Sequence, residues 1–321
     1  MTIDLVLRGT KNAPVTWDEV DNNFDNLANA LIALDLIKNP QPALNYGKGF
    51  FYRGDTGGPN SSNILTIFNG SYDLLQPETN IGSLSLWSAG ANIGLTKILY
   101  YGGWDISNNL CTLIDNSGNL IGSEIAISSD IAGDVSGATL LANALMRTTD
   151  SGNTVLRLID SNLTLVQTDI VSNEGTNNAV QNGATFETEA LFFGGYSSTS
   201  LAYLYSANCT LLNQSTTTSS GARDITGAHS GTNVLYHGGR DTNYNYTNNT
   251  FIVTPTLVLA QDETHIGAAD MGRGAASIGS NVLFYGGVFQ PRVTILTPTA
   301  TLVSTETTIG TGRSGPTGAS I

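Results

Sequence analysis

Short runs of alternating apolar and polar residues, broken by Asn, Asp, Gly, Ser or Pro, fill most of this 321-residue chain. One eighteen-residue version of the pattern occurs six times without gaps. The copies are 65–82 (LTIFNGSYDLLQPETNIG), 111–128 (CTLIDNSGNLIGSEIAIS), 156–173 (LRLIDSNLTLVQTDIVSN), 202–219 (AYLYSANCTLLNQSTTTS), 250–267 (TFIVTPTLVLAQDETHIG) and 293–310 (VTILTPTATLVSTETTIG). Two arms alternating with a period of two and joined at turn-forming residues predict a β-hairpin. Hairpins recurring at this spacing are the signature of propeller blades.

Two further elements complete the repeat. Before each hairpin stands an apolar strand closed by a glycine pair: 98–103 (ILYYGG), 190–195 (ALFFGG), 234–239 (VLYHGG) and 282–287 (VLFYGG). Two copies are degenerate, 49–54 (GFFYRG) with one glycine and 139–144 (TLLANA) with none. Paired glycines at a strand end suit positive φ or close backbone approach. Before these strands come segments of small residues at 88–94, 131–137, 179–185, 226–231, 274–279 and 314–321. Innermost propeller strands crowd round an axis, where little side-chain volume fits.

Naming the small-residue element A, the glycine-pair strand B and the hairpin C and D gives four strands per blade. The first copy starts at B (Gly49) and the last stops at A (Ile321), so the two chain ends complete one blade and close the ring without a free sheet edge. The expected fold is all-β, a six-bladed propeller over 45–321. The glycine pairs Gly102–Gly103, Gly194–Gly195, Gly238–Gly239 and Gly286–Gly287 make it resemble kelch-like propellers. The Tyr and Trp that the kelch family carries later in each repeat are not regularly present.

Composition narrows the function classes. A net charge of −13, from 13 Lys and Arg against 26 Asp and Glu, argues against nucleic acid as a partner, because phosphate-backbone binding needs clustered cations. No apolar run reaches the length of a bilayer crossing, so no membrane insertion is expected. The first residues, MTIDLVLRGT, do not read as a secretory signal. Cys111 and Cys209 fall at different places in the repeat and are expected as buried apolar residues rather than a disulfide. No cofactor, metal or catalytic residue is expected.

Residues 1–40 do not repeat. Ile3, Leu5 and Leu7 suggest a short strand. Pro14, Thr16 and Glu19 form a capping box opening a helix over about 16–38. Trp17, Val20, Phe24, Leu27, Leu31 and Leu34 step by three and four residues, the seam of a coiled coil. About two and a half heptads are marginal alone, so the helix needs partner copies or a surface such as its own propeller. The string LRGTKNAPVTWDEVDNNFDNL (7–27) resembles a segment found near the start of tailed-phage tail-fibre proteins, matching at Lys11, Pro14, Thr16, Trp17, Glu19, Val20, Asp21, Asn23 and Phe24. That resemblance implies a virion protein made in the host cytoplasm, a homotrimer attached to other tail or baseplate proteins.

Strand polarity sorts the connections. A-to-B and C-to-D turns, all short, share one face; B-to-C and D-to-A connections, longer and dissimilar, share the other. Variable loops on a rigid scaffold carry recognition. The chain enters strand B on the tight-turn face, so the attachment segment is expected behind the propeller. Arg223, Arg273 and Arg313 precede A strands and could form an arc for carboxylate or phosphate groups on an acidic glycan, or bond to neighbouring loop carbonyls. Arg240 shares the loop-rich face, and Trp104, Tyr196, Tyr244 and Tyr246 are candidate sugar platforms or loop-core caps. The acids Glu78, Glu124, Asp169, Glu263 and Glu306 share one hairpin position and are expected to act as edge-strand charges against aggregation.

The reading that results is a tail fibre or receptor-binding protein recognising a host surface glycan or protein. The alternatives are an adaptor docking another virion protein and a glycan-cleaving enzyme. Against the last, the sialidase box S-x-D-x-G-x-T-W is absent beyond the fragment TDSGNT (149–154), and His229, His237 and His265 occupy unrelated repeat positions, which leaves copper-radical chemistry without a ligand set. Native mass measurement of the full chain and of a version beginning at Asn45 is expected to give a trimer and a monomer respectively. A monomer in both cases refutes self-assembly through the helix.

Overall fold

The computed structural model describes residues 47–321 except 57–61, 86–87, 94–95, 104–109, 128–134, 141, 151–152, 173–180, 187, 195–198, 221–223, 242 and 289. The expected N-terminal strand and helix, with the seam Trp17, Val20, Phe24, Leu27, Leu31 and Leu34, lie outside the described residues. Every described element is a β-strand, and the strands form six antiparallel four-stranded sheets. Blade 1 holds β1 (Gly49–Tyr52), β2 (Ser62–Phe68) and β3 (Thr79–Ser85). Blade 2 is β4 (Ala89–Ile93), β5 (Lys97–Tyr101), β6 (Leu110–Asp115) and β7 (Ile125–Ala126). Blade 3 is β8 (Val135–Leu140), β9 (Asn143–Asp150), β10 (Asn153–Ile159) and β11 (Leu165–Ser172). Blade 4 is β12 (Gln181–Phe186), β13 (Glu189–Gly194), β14 (Thr199–Tyr205) and β15 (Leu211–Ser220). Blade 5 is β16 (Thr226–Ser230), β17 (Asn233–His237), β18 (Asn249–Val253) and β19 (Leu259–His265). Blade 6 is β20 (Arg273–Ile278), β21 (Asn281–Gly286), β22 (Arg292–Leu296) and β23 (Thr307–Thr308). The last strand, β24 (Thr317–Ser320), returns to blade 1.

The described residues therefore form a six-bladed β-propeller, closed as strand order requires. β24 pairs antiparallel with β1, Gly49 opposite Ser320 and Tyr52 opposite Thr317. Beyond it Lys48 and Ile321 exchange backbone hydrogen bonds of 2.9 and 3.1 Å. The innermost strands β24, β4, β8, β12, β16 and β20 neighbour one another in that order round the axis.

Crowding at the axis explains the small residues. Gly90, Gly137, Gly183, Gly227 and Gly318 lie opposite Tyr100, Met146, Phe192, Tyr236 and Phe51 on their B strands, and Ala275 lies opposite Phe284 in blade 6. A Cβ on Gly90 would sit 2.9 Å from the Gly318 carbonyl oxygen; one on Gly137 would sit 2.8 Å from that of Gly90; one on Gly183 would sit 2.3 Å from that of Gly137. One turn of the pleat further along comes a polar ring. Asn92 N–H donates to Thr139 Oγ1 and Thr139 N–H to Thr185 Oγ1, both at 2.9 Å. Ser277 N–H donates to Ser320 Oγ at 2.6 Å, the Ser277 hydroxyl to the His229 carbonyl at 2.7 Å, and Asn92 Nδ2 to the Ser320 carbonyl at 2.9 Å. Such bonds satisfy polar groups that six converging strands would otherwise strand from water.

The six hairpin turns share one conformation. Asn69, Asp115 and Asp160 each accept two backbone N–H groups, two and four residues on, at 2.8 to 3.0 Å. Ser206, Thr254 and Thr297 occupy the same place and accept the second of these bonds at 3.1 to 3.2 Å. The residue three further on has positive φ in every copy: Tyr72, Gly118, Leu163, Cys209, Leu257 and Ala300. Five non-glycine residues in left-handed backbone each carry a cost, offset by burial or half-burial of their side chains beneath the hairpin. At the B-strand ends the glycines also have positive φ, as at Gly102 (67°), Gly103 (122°), Gly286 (92°) and Gly287 (138°). In the degenerate first copy Arg53 itself takes φ 65°.

Blade 3 differs from the sequence reading, and its A strand is Val135–Leu140 rather than 131–137. In blade 3 the B strand is not 139–144 but β9, whose Ala144, Leu145, Met146 and Arg147 pair as Ile98, Leu99, Tyr100 and Tyr101 do in blade 2. Thr148 and Thr149 replace the glycine pair, and β9 runs almost directly into β10. With no long connection to turn into, this strand has no need of the pair, and its apolar run slipped out of the repeat alignment. Gly137→Ala is expected to lower stability by about 1–3 kcal/mol through overpacking at the axis, read from thermal or denaturant unfolding. Gly70→Ala, where the nearest atom to a Cβ is 3.6 Å away, is expected to change stability by less than about 0.5 kcal/mol.

Candidate functional site

The arginine arc is the first correction. Arg273 is 5% exposed and Arg313 fully buried, both aimed into the walls between blades rather than onto the loop-rich face. Arg223, Trp104 and Tyr196 lie outside the described residues. Arg313 donates from Nη1 to the Ile64 carbonyl (2.5 Å) and from Nη2 to Thr66 Oγ1, with Glu78 Oε1 at 3.7 Å. Arg273 donates to Thr294 Oγ1 (2.7 Å) and lies 3.8 Å from Glu306. Arg53, which the sequence reading passed over, donates to Thr112 Oγ1 (2.9 Å) and Glu124 Oε1 (3.2 Å).

These three clusters are one device. In each, a threonine at the second repeat position donates its hydroxyl to an acid at the fourteenth: Thr66 to Glu78, Thr112 to Glu124, Thr294 to Glu306. The second carboxylate oxygen accepts a backbone N–H from the segment closing the preceding blade: Thr311 (3.0 Å), Ser83 (2.8 Å) and Ala268 (3.0 Å). The residue before each donor is a glycine of positive φ, and a Cβ on Gly310, Gly82 or Gly267 would lie 2.6 Å from the acid. Glu78, Glu124 and Glu306 are therefore blade-to-blade latches, and the expected role as edge charges is withdrawn for them. The side chains of Asp169 and Glu263 lie outside the described residues.

The guanidinium reaches this place from different points of the chain. It comes from the end of a B strand at Arg53, from an A strand at Arg273 and from the connection before an A strand at Arg313. In blade 3 Arg157 stands where the threonine would be and donates to Tyr101 Oη at 2.9 Å. Arg147 carries its charge over the Tyr203 ring, 5.9 Å away. Sequence alignment could not find this equivalence, since spatial position is kept while repeat position is not. The visible signal was the pairing of Thr with Glu twelve residues on in copies one, two and six.

What remains on the loop-rich face is the 238–248 connection of blade 5. Arg240 is part-exposed and bound to Asp224, Nε and Nη2 lying 2.6 and 2.5 Å from Oδ2. Its guanidinium carbon is 5.9 Å from the Tyr244 ring centre. Tyr244 and Tyr246 are 57% and 49% exposed. Asp224 also lines the mouth of the central channel, a cavity of about 110 Å³ rimmed by Ser88, Ser136, Thr226 and Thr317 among others. Of the expected recognition residues, the structure brings together Arg240 and Tyr244, with Tyr246 across the same hairpin. Cys111 and Cys209 are free and buried, and burial pushes the Cys209 thiol up to about 11. Among the described residues no group of three His, Cys, Asp or Glu side chains could hold a metal, and no helix is long and apolar enough to cross a membrane.

No family model and no curated protein matches the sequence. Its likeness is to solved structures, of which 487 chains match. One is the crystal structure of a protein of unknown function from Bacteroides caccae, 11% identical, with a TM-score of 0.54 over 86% of this chain and 99% of that one. At that identity the likeness establishes the fold alone.

Two sets of groups tie stability to acid. Burial alone would raise the Glu78 and Glu124 carboxyls, but hydroxyl and backbone donors together with Arg313 and Arg53 outweigh it and hold both below the ordinary glutamate value. Burial lowers the His229 imidazole, and burial with the Arg273 charge lowers that of His237 well below its usual value. Depressed histidines cost stability as pH falls below their unfolded value of about 6.5, and depressed glutamates as pH falls below about 4.3. Unfolding measured from pH 8 to 3 is expected to show two successive losses. His229→Thr with His237→Phe, the residues of the equivalent places in blade 4 (Thr185, Phe193), is expected to remove the upper loss and leave the lower.

Proposed function

We propose that the chain is a tail protein of a tailed phage whose kelch-like propeller recognises a host surface glycan, attached to the virion through residues 1–40 as a homotrimer. The observation that carries this reading is the 7–27 segment, with its resemblance to tail-fibre attachment sequences, at the head of a closed propeller. The asymmetry of the ring supports it: the C-to-D turns are six near-identical copies, while the B-to-C connections range from two residues in blade 3 to eleven in blade 5. A rigid ring with one elaborated side is how a scaffold presents recognition loops, and three copies on one stem would turn weak contacts into avid binding.

The reading is of binding without cleavage. The full-length protein is expected to bind at least one member of a panel of bacterial envelope polysaccharides without releasing reducing ends. Retention on phage tail or baseplate proteins, with no polysaccharide bound, would replace it with the adaptor reading. Release of reducing ends would replace it with an enzyme.

A further inference from the structure

We propose that Tyr244, the Arg240–Asp224 pair and the channel mouth beside them form a binding site for a neutral sugar. This rests on the glycan-binding reading and deepens it, since the arc first considered called for an acidic ligand.

The argument starts from a turn used out of place. Asp241, Asn243, Tyr244 and Asn245 make the same bonds as the six hairpin turns, but on the opposite face. Asp241 Oδ1 accepts from Asn243 and Asn245 N–H at 2.8 and 2.9 Å, Asp241 N–H donates to the Asn245 carbonyl at 3.0 Å, and Tyr244 takes φ 66°. Asn245 Nδ2 adds a bond to Asp241 Oδ2 at 3.0 Å, and Arg240 bridges to Tyr246 below. In the six C-to-D turns the left-handed residue is buried or half-buried, so packing offsets its backbone cost. At Tyr244 the same cost is met by an aromatic ring that is 57% exposed. Strain held at an exposed aromatic by a rigid turn is the mark of a residue placed for a ligand.

The chemistry around the ring selects the ligand. Arg240 is neutralised by Asp224, and Arg273 and Arg313 are spent on the blade latches. Among the described residues, an anionic sugar would meet a paired guanidinium on a chain of net charge −13. A neutral sugar suits the same groups: its C–H face stacks on Tyr244, and its vicinal hydroxyls both accept from Arg240 and donate to Asp224. Asp224 joins this pair to the channel mouth, lined by the hydroxyls of Ser88, Ser136, Thr226 and Thr317 and by Arg273, whose guanidinium is held by Thr294 and Glu306. A sugar unit lying from the ring toward the axis would meet hydroxyl and backbone groups there.

The test is calorimetric titration of the full-length protein with maltohexaose, cellohexaose, laminarihexaose and a mannohexaose as neutral probes, and hexagalacturonic acid as the acidic one. At least one neutral probe is expected to bind more tightly than the acidic probe. Tyr244→Gly, which keeps the left-handed turn free of strain, is expected to weaken that binding about tenfold, and Tyr244→Phe to leave it within about twofold. Binding of a neutral probe or an envelope polysaccharide that Tyr244→Gly leaves unchanged overturns this site but not the receptor-binding reading. Tighter binding of the acidic probe overturns neutrality, and failure of every hexasaccharide and every polysaccharide overturns both.

Discussion

Close approach of six strands at the axis is the constraint on which the rest of this molecule depends. Where the Gly137 and Gly183 backbones meet there is no space for a methyl group, so the innermost strands cannot hold the blades apart with side chains. Their small residues contribute little apolar burial, and cohesion must come from further out. It comes from apolar walls between adjacent sheets, such as Phe51, Phe68 and Tyr285 between blades 6 and 1, and from the latches at the rim of those walls.

The latches show how a repeat protein can conserve an interaction without conserving a residue position. A buried guanidinium is costly unless paired and hydrogen-bonded. Each of Arg53, Arg273 and Arg313 meets that condition with a threonine hydroxyl and a glutamate that is itself satisfied by the preceding blade. The wall between blades 4 and 5 is built otherwise: Phe193 packs on Tyr236 and Phe251, with ring centres 4.8 and 5.9 Å apart. Charge and aromatic packing thus serve as alternative solutions to one seam, with Phe193 standing where blades 1, 2 and 6 carry Tyr52, Tyr101 and Tyr285.

Much of the architecture was legible because it rests on patterns of period two and on turn chemistry. The six hairpins, the Asn, Asp, Ser or Thr heading each turn, and the strand shared by the two chain ends all follow from residue type and order. The B strand of blade 3 was not legible. Its glycines are gone because its connection is short, and a run such as TLLANALM can be cut into strands in more than one way. The site was legible only in part. Tyr244, Tyr246 and Arg240 could be assigned to a face from loop order, whereas the burial of Arg273 and Arg313 depends on contacts between residues up to 260 positions apart, as from Arg313 to the Arg53 carbonyl. Arg53 was hidden by its own disguise, an arginine in a glycine's conformation.

The strand shared between chain ends also sets a timetable. β1, β2 and β3 can pair as soon as residues 49–85 exist, but the inner edge of that sheet stays open until Thr317–Ser320 is made. At about 5–20 residues per second, synthesis leaves this edge exposed for a period on the order of tens of seconds. The first blade built is therefore the last completed, and during translation it must be shielded from other strands by its own brevity. β1 is only four residues long, which keeps the waiting edge a poor template for mispairing until its true partner arrives.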